Sequence, residues 1–118
     1  MMLIKQTLLT AALATMLSGA AYARSEGCYW VDGRLTLGNG TPAIRIWPRG
    51  TYRLLGVTTA DYHAETYNAL PAQVRTFLRE NRSDRIWGQF KICPLALDRP
   101  GWMRPVTVVA ARSLRLHS

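Results

Sequence analysis

Residues 28–37 read CYWVDGRLTL, and residues 85–93 read RIWGQFKIC. In the first stretch the odd-numbered positions are apolar or glycine, and in the second the even-numbered positions are. The intervening positions are mostly polar residues or tryptophan. A two-residue alternation of this kind predicts two β-strands, each with one buried face.

The two cysteines, Cys28 and Cys93, lie at the start of the first predicted strand and at the end of the second. If the strands run antiparallel with the cysteines face to face, apolar residues meet apolar ones and polar residues meet polar ones. A shift of one residue would destroy this match. The sequence therefore predicts a Cys28–Cys93 disulfide, with a free reactive thiol as the alternative. The facing pairs would be Tyr29 with Ile92, Val31 with Phe90, Gly33 with Gly88 and Leu35 with Ile86 on one face, and Trp30 with Lys91, Asp32 with Gln89 and Arg34 with Trp87 on the other.

The order of the predicted elements is three strands, a helix and two strands. This order matches a five-stranded Greek-key barrel of the OB type, in which strand one pairs with strand four and the helix connects strands three and four. We therefore expect a mainly β domain with one helix over residues 24–118, and a small β-sandwich with the same strands is the alternative. The remaining elements are strands over 44–47, 52–57 and 106–111 and an amphipathic helix from Pro71 to about Asn81, with a loop over 94–104.

Residues 1–23 have the composition of a cleavable signal peptide. Lys5 precedes an apolar run over 8–17, and Ala21-Tyr22-Ala23 forms a small-residue cleavage site. The run is shorter than the roughly 20 residues that cross a bilayer. A lipoprotein signal is the weaker alternative, because residues 25–27 before Cys28 are not of the required type. We expect a periplasmic or secreted protein, cleaved near Ala23 and without a membrane span, in a compartment that permits disulfides.

The chain is strongly basic, with 15 Lys and Arg against 7 Asp and Glu and a net charge of +8. Almost all of the basic residues are arginine, whose planar guanidinium suits carboxylates and phosphates. The charge indicates an anionic partner. Alternatively, it reflects the preference of a GC-rich genome for arginine codons, and the net charge serves solubility. Nucleic acid fits the charge but not the compartment, so we expect no nucleic-acid partner.

Short motifs are spread over residues 33–94: GRL at 33–35, NGTP at 39–42, RIW at 45–47, GT at 50–51, LGV at 55–57 and CP at 93–94, after Phe90. This pattern resembles a group of small secreted proteobacterial proteins of uncharacterised function. The resemblance implies export and a shared fold. It implies no activity, cofactor or set of site residues.

Signals for catalysis are weak. His63 lies near Asp61 and Glu65, but no second histidine or thiolate is placed to complete a metal site, and His117 is the penultimate residue. With both cysteines paired there is no thiolate nucleophile, and the sequence has no serine elbow or phosphate-binding glycine loop. We expect no enzyme, no metal and no cofactor. A hydrolase using Asp61, His63 and Glu65 is the remaining catalytic alternative.

The outward face of the predicted barrel interleaves tryptophans with cations. Such a surface can stack on sugars or bases while neutralising acidic groups. The alternative is structural, with Trp30 over Lys91 and Arg34 over Trp87 as cation–aromatic pairs that each stabilise the fold by about 0.5–1 kcal/mol. The candidate ligand-binding residues are Trp30, Arg34, Arg45, Trp47, Arg53, Trp87 and Lys91.

Two functions are compatible with these observations. The first is a non-enzymatic binding module that presents the basic, aromatic face to an anionic envelope ligand, namely a polysaccharide, a lipid head group or an acidic protein. The second is a structural or protein-interaction component of the envelope. It would dock through the helix or through the loop over 94–105, with Trp102 and Met103 exposed.

Overall fold

The computed structural model describes residues 27–59 and 66–118. The predicted signal peptide and the residues Asp61, His63 and Glu65 lie outside this part of the chain. Five strands and two helices form in it. They are β1 (Tyr29–Leu37), β2 (Ile44–Pro48), β3 (Leu55–Val57), α1 (Thr66–Ala69), α2 (Ala72–Asn81), β4 (Arg85–Pro94) and β5 (Arg104–Arg115).

The strands close into a barrel in the order β1-β2-β3-β5-β4. Every neighbouring pair is antiparallel except β3 with β5, which is parallel. The predicted mainly β, OB-like barrel is confirmed, and its closure excludes a sandwich of two separate sheets. The single-turn helix α1 was not predicted, because four residues are too few to show a helical period.

The ladder between β1 and β4 has the predicted register. Tyr29 lies opposite Ile92, and the pairing continues without a shift to Thr36 opposite Arg85. Cys28 and Cys93 form a disulfide at the end of this ladder, with their Cα atoms 4.1 Å apart. Both predictions, the register and the disulfide, are confirmed.

The core fills the barrel and continues under α2. Leu70, Val74 and Leu78 are buried, and Phe77 packs against the same cluster, so the predicted apolar stripe of the helix is confirmed. The helix ends at Arg82, whose left-handed backbone lets the Ser83 N–H donate to the Leu78 carbonyl. The buried side chains of the barrel are those of Leu35, Ile44, Ile46, Leu55, Val57, Ile86, Phe90, Ile92, Val106, Val108 and Ala111.

Strand β3 is shorter than predicted. Residues 52–54 belong to a turn, because the Thr51 hydroxyl donates to the Pro48 carbonyl at 2.8 Å and accepts from the Arg53 N–H at 3.2 Å. The strand begins only at Leu55. Arg53 is therefore not a strand residue, which corrects its predicted position on strand three.

Strand β5 is longer than predicted and contains two register shifts opposite β4. At one of them Ser113 has a left-handed backbone with φ 56°. The shifts change which positions face inward, so that Val108 and Ala111 are both buried while Val109 is exposed. These shifts account for the apolar residues on both alternating positions of 106–111, and β5 is paired on both sides, with β3 and with β4.

The facing glycines Gly33 and Gly88 lie where neighbouring chain segments approach closely. A Cβ at Gly33 would overlap the Trp47 carbonyl of β2, and one at Gly88 would lie 2.8 Å from the Leu114 side chain. Only glycine lets β1 and β2 approach this closely. This approach brings the end of β2, with Trp47, against the middle of β1.

Candidate functional site

The outward side chains of β2, β1, β4 and β5 form one continuous surface, which we call the tryptophan–arginine wall. Directly paired residues lie on the same side of a sheet, so the register places the wall residues in rows. One row runs Trp47, Arg34, Trp87, Arg115; the next runs Asp32, Gln89, Arg112; the third runs Trp30, Lys91; and Arg49 follows β2 beside Asp32.

Arg34 lies at the centre of the wall, between two tryptophans. Its guanidinium carbon is 5.6 Å from the ring centroid of Trp47 and 5.6 Å from that of Trp87. The two rings meet edge to face with centroids 5.8 Å apart, and the Trp47 indole N–H donates to the Thr51 carbonyl at 2.8 Å. The predicted contact of Arg34 with Trp87 is therefore present, and Trp47 joins it to form a three-residue cluster.

A carboxylate is already bound at one edge of the wall. Arg49 lies over the Trp87 ring at 4.8 Å, and its Nε donates to Asp32 Oδ2 at 3.0 Å. Arg115 approaches the other carboxylate oxygen of Asp32 at 3.8 Å. The wall thus holds one acidic group of its own between two arginines.

Trp30 is covered by an arginine that was not among the predicted residues. The guanidinium carbon of Arg112 lies 4.0 Å from the Trp30 ring centroid, and its Nε donates to Gln89 Oε1. Lys91 is the cross-strand partner of Trp30, as the register predicts. The aromatic partner of Trp30 is nevertheless Arg112 on β5, so the predicted stacking of Lys91 is replaced by an arginine.

Two predicted residues lie apart from the centre of the wall. Arg45 is on the same side of the sheet but turns to the loop after β1, where its Nε donates to the Pro42 carbonyl at 3.1 Å. Arg53 lies in the turn before β3 and pairs with Asp98 through two hydrogen bonds, one of them 2.9 Å long. These hydrogen bonds hold the pKa of the Asp98 carboxyl below its ordinary value of 3.8, and partial desolvation opposes them.

Arg49, Arg112 and Arg115 are the wall residues that sequence reasoning missed. The predicted last strand stopped at Ala111, which left Arg112 and Arg115 outside it, and Arg49 was assigned to a turn. A strand extended to residue 115, with a bulge opposite Trp87, would have placed both β5 arginines on the outer face. The alternation in 104–115 carries no direct sign of that bulge.

The arginines of the wall are well placed to bind oxyanions. A cation over an aromatic ring is attracted by the electrons of the ring face and needs none of its N–H groups for that contact. The N–H groups can still donate to carboxylate, phosphate or sulfate oxygens. The Nε of Arg34 is an exception, because it is buried and an external oxyanion cannot reach it in this arrangement.

Among the wall residues, Asp32 is the one acid, against five cations. No group of three or more His, Cys, Asp or Glu residues suited to a metal occurs in residues 27–59 and 66–118. Neither of the two helices described has the length and apolar character that crossing a membrane requires. The cations of the wall are Arg34, Arg49, Lys91, Arg112 and Arg115.

No protein-family model, curated protein or solved structure matches this chain.

Proposed function

We propose that the protein is an exported, non-enzymatic binding module whose tryptophan–arginine wall binds an anionic polysaccharide of the cell envelope. The observation that carries the proposal is the placement of Arg34, Arg49 and Arg112 over tryptophan rings, at 5.6, 4.8 and 4.0 Å from the ring centroids. The Arg34 Nε is buried and the Arg49 Nε is bonded to Asp32, and since Asp32 is the one acid of the wall, the wall has little acidic charge of its own to occupy the other N–H groups.

The ring contacts support binding because they reduce its entropic cost. A free arginine side chain loses about 1.5–2 kcal/mol of rotamer entropy when it is fixed. Arginines that already rest on tryptophans have lost part of that freedom during folding, so less remains to be lost on binding.

The extent of the wall favours a polymer over a single small anion. The rows from Arg34 to Trp30 are four residues apart along β1, which is about 13 Å at the rise of a β-strand. Four neighbouring strands cover about 14 Å in the other direction. A surface of this size with five cations can contact several charged groups at once, as an acidic polysaccharide presents them.

The contact between Arg49 and Asp32 supports carboxylate as one of the recognised groups. The Arg49 Nε bonds a carboxylate oxygen at 3.0 Å while the same guanidinium stays over Trp87. Stacking and carboxylate binding are therefore compatible in one side chain of this wall. Export through residues 1–23, with cleavage near Ala23, would bring the wall to the envelope, and the disulfide suits an oxidising compartment.

The test compares two double variants with equal loss of charge. Arg49→Gln with Arg112→Gln removes two stacked cations of the wall, and Arg79→Gln with Arg82→Gln removes two exposed cations at the end of α2. Binding is measured by calorimetry with alginate, a polysaccharide that carries a carboxylate on every sugar. We expect the wall variant to bind about tenfold more weakly or worse, because each charge-assisted hydrogen bond contributes about 1.5–3 kcal/mol before screening by salt.

The helix variant should bind like the wild type at the same ionic strength. Equal losses in the two variants would show that net charge alone drives the contact, and the proposal would then be wrong. Absence of alginate binding by the wild type, together with binding to an acidic protein or a soluble lipid head group, would assign the wall to another anionic ligand.

A further inference from the structure

Exposed apolar side chains are concentrated at one end of the barrel. At this end β1 begins, β2 and β4 end, β3 and β5 begin, and the disulfide lies. We call it the disulfide end. Five of the eight exposed large apolar residues in the described part of the chain belong to it, and the side chain of Tyr52 is fully exposed. The five are Tyr29, Tyr52, Leu54, Leu97 and Trp102.

Two loops distant in sequence present most of these side chains together. Residues 51–54, in the turn before β3, and the loop over 95–103 are joined by the Arg53–Asp98 ion pair. A cavity of about 370 Å³ between them is lined by Tyr52, Leu54 and Trp102 and by Met103, which is half-buried and not exposed as predicted. The loops therefore form one apolar surface, although neither would do so alone.

Cations surround the apolar tips of these loops. The guanidinium carbon of Arg99 lies 4.6 Å from the Trp102 ring centroid, and Arg104 donates from Nε to the Ala96 carbonyl at 3.0 Å. With Arg53, these arginines outnumber the single acid of the two loops, Asp98. The disulfide end is thus both apolar and positively charged.

We propose that the disulfide end docks on the surface of an anionic phospholipid bilayer. Tryptophan, tyrosine and leucine tips beside arginines are the combination that enters the boundary between head groups and acyl chains, where rings and aliphatic groups are buried and cations meet lipid phosphates. This proposal does not depend on the function proposed for the tryptophan–arginine wall.

Two N–H groups of the longer loop are bonded within the protein. The Leu95 N–H donates to the Pro105 carbonyl at 2.9 Å, and the Trp102 N–H donates to the Arg99 carbonyl at 3.0 Å. Because these N–H groups are already bonded, moving the loop out of water does not leave them unsatisfied.

Charge argues against a second copy of the chain as the occupant. A two-fold dimer places the same patch of both subunits face to face, so two surfaces that each carry Arg99 and Arg104 would be brought together. Like charges at such an interface are repulsive. An anionic bilayer instead meets these arginines with phosphate groups and accepts protruding tips without needing a complementary pocket.

The docking test uses sedimentation with vesicles made of equal parts of phosphatidylglycerol and phosphatidylcholine. The variant Leu97→Ser with Trp102→Ser removes two apolar tips, and the matched control Val109→Ser with Leu116→Ser removes two exposed apolar residues from β5 and the segment after it. We expect the loop variant to bind about tenfold more weakly or worse, because two of the five exposed apolar side chains of this end are lost. The control should bind like the wild type.

Further measurements distinguish an anionic bilayer from other partners of the disulfide end. Vesicles of phosphatidylcholine alone should bind less protein, and the wall variant Arg49→Gln with Arg112→Gln should still bind anionic vesicles. No binding of the wild type to anionic vesicles, or equal binding of the loop variant, would overturn the proposal. A dimer that sedimentation velocity detects without lipid, and that the loop variant abolishes, would also overturn it. A protein partner whose binding requires Trp102, found while the wild type does not bind vesicles, would do the same. Melting temperatures of all variants establish that they are folded.

Discussion

Removal of the Cys28–Cys93 crosslink, by Cys28→Ser with Cys93→Ser, should destabilise the domain mainly through its unfolded state. The two cysteines are 65 positions apart, and a crosslink closing a loop of that length lowers the chain entropy of the unfolded ensemble by about 4 kcal/mol at 25 °C. Both cysteines are only half-buried, so their replacement by serine adds little loss of packing.

The folded state should change little, because the antiparallel ladder from Tyr29 to Thr36 holds β1 against β4 next to the disulfide. A domain of this size has a free energy of unfolding of about 5–10 kcal/mol, so the loss is about half of the total. It corresponds to a fall of about 15–30 °C in melting temperature.

Equilibrium unfolding in guanidinium chloride, followed by tryptophan fluorescence, measures both the free energy of unfolding and its dependence on denaturant. The variant should show a steeper dependence, because an unfolded chain without the crosslink exposes more surface. A loss below about 1 kcal/mol would refute the reasoning. A large loss with amide NMR shifts altered across the barrel would refute it too, since the effect would then lie in the folded state.

Two further predictions concern single positions. Gly33→Ala should lower the free energy of unfolding by about 2–3 kcal/mol, because its Cβ would overlap the Trp47 carbonyl. Gly38→Ala is the control, since its Cβ has room and should change the free energy of unfolding little. Equal melting temperatures of the two variants would contradict this prediction. The Asp98 carboxyl should titrate below 3.8 in an NMR pH series and return toward that value in Arg53→Met. Since folding lowers this pKa, the stabilisation by the Arg53–Asp98 pair is complete at pH values above the ordinary pKa of Asp98 and is lost as the pH falls through the folded-state pKa. An unshifted pKa of Asp98 in the wild type would show that the pair is not formed in solution.

The fold could be predicted because two independent signals agreed. The alternation in residues 29–37 and 85–93 gave two strands, and the cysteines at their ends selected one register among the possible ones. Register is strongly determined when one face of a strand is buried, since a slip of one residue exposes the whole apolar set. The helix was equally clear, because Pro71 and the spacing from Leu70 to Leu78 identify its start and its buried face.

The composition of the wall was harder to predict, for reasons that lie in the backbone. Bulges in β5 break the two-residue alternation, so the outward positions of Arg112 and Arg115 cannot be read from spacing alone. The covering of Trp30 by Arg112 depends on the pairing of β4 with β5, and no disulfide joins these two strands. Arg53 was misplaced because the Thr51 hydroxyl bonds create a turn within a stretch of strand-forming residues.

The short length of β3 has a consequence for the resistance of the barrel to aggregation. Only residues 55–57 join β2 to β5 and keep the barrel from being an open sheet. If β3 separated from β2 or β5, its partner strand would expose unpaired N–H and C=O groups, to which strands of other chains could add edge to edge. The disulfide holds β1 against β4, on the opposite side of the barrel, so β3 is kept in place by its ladders with β2 and β5 and by the burial of Leu55 and Val57, without a covalent crosslink.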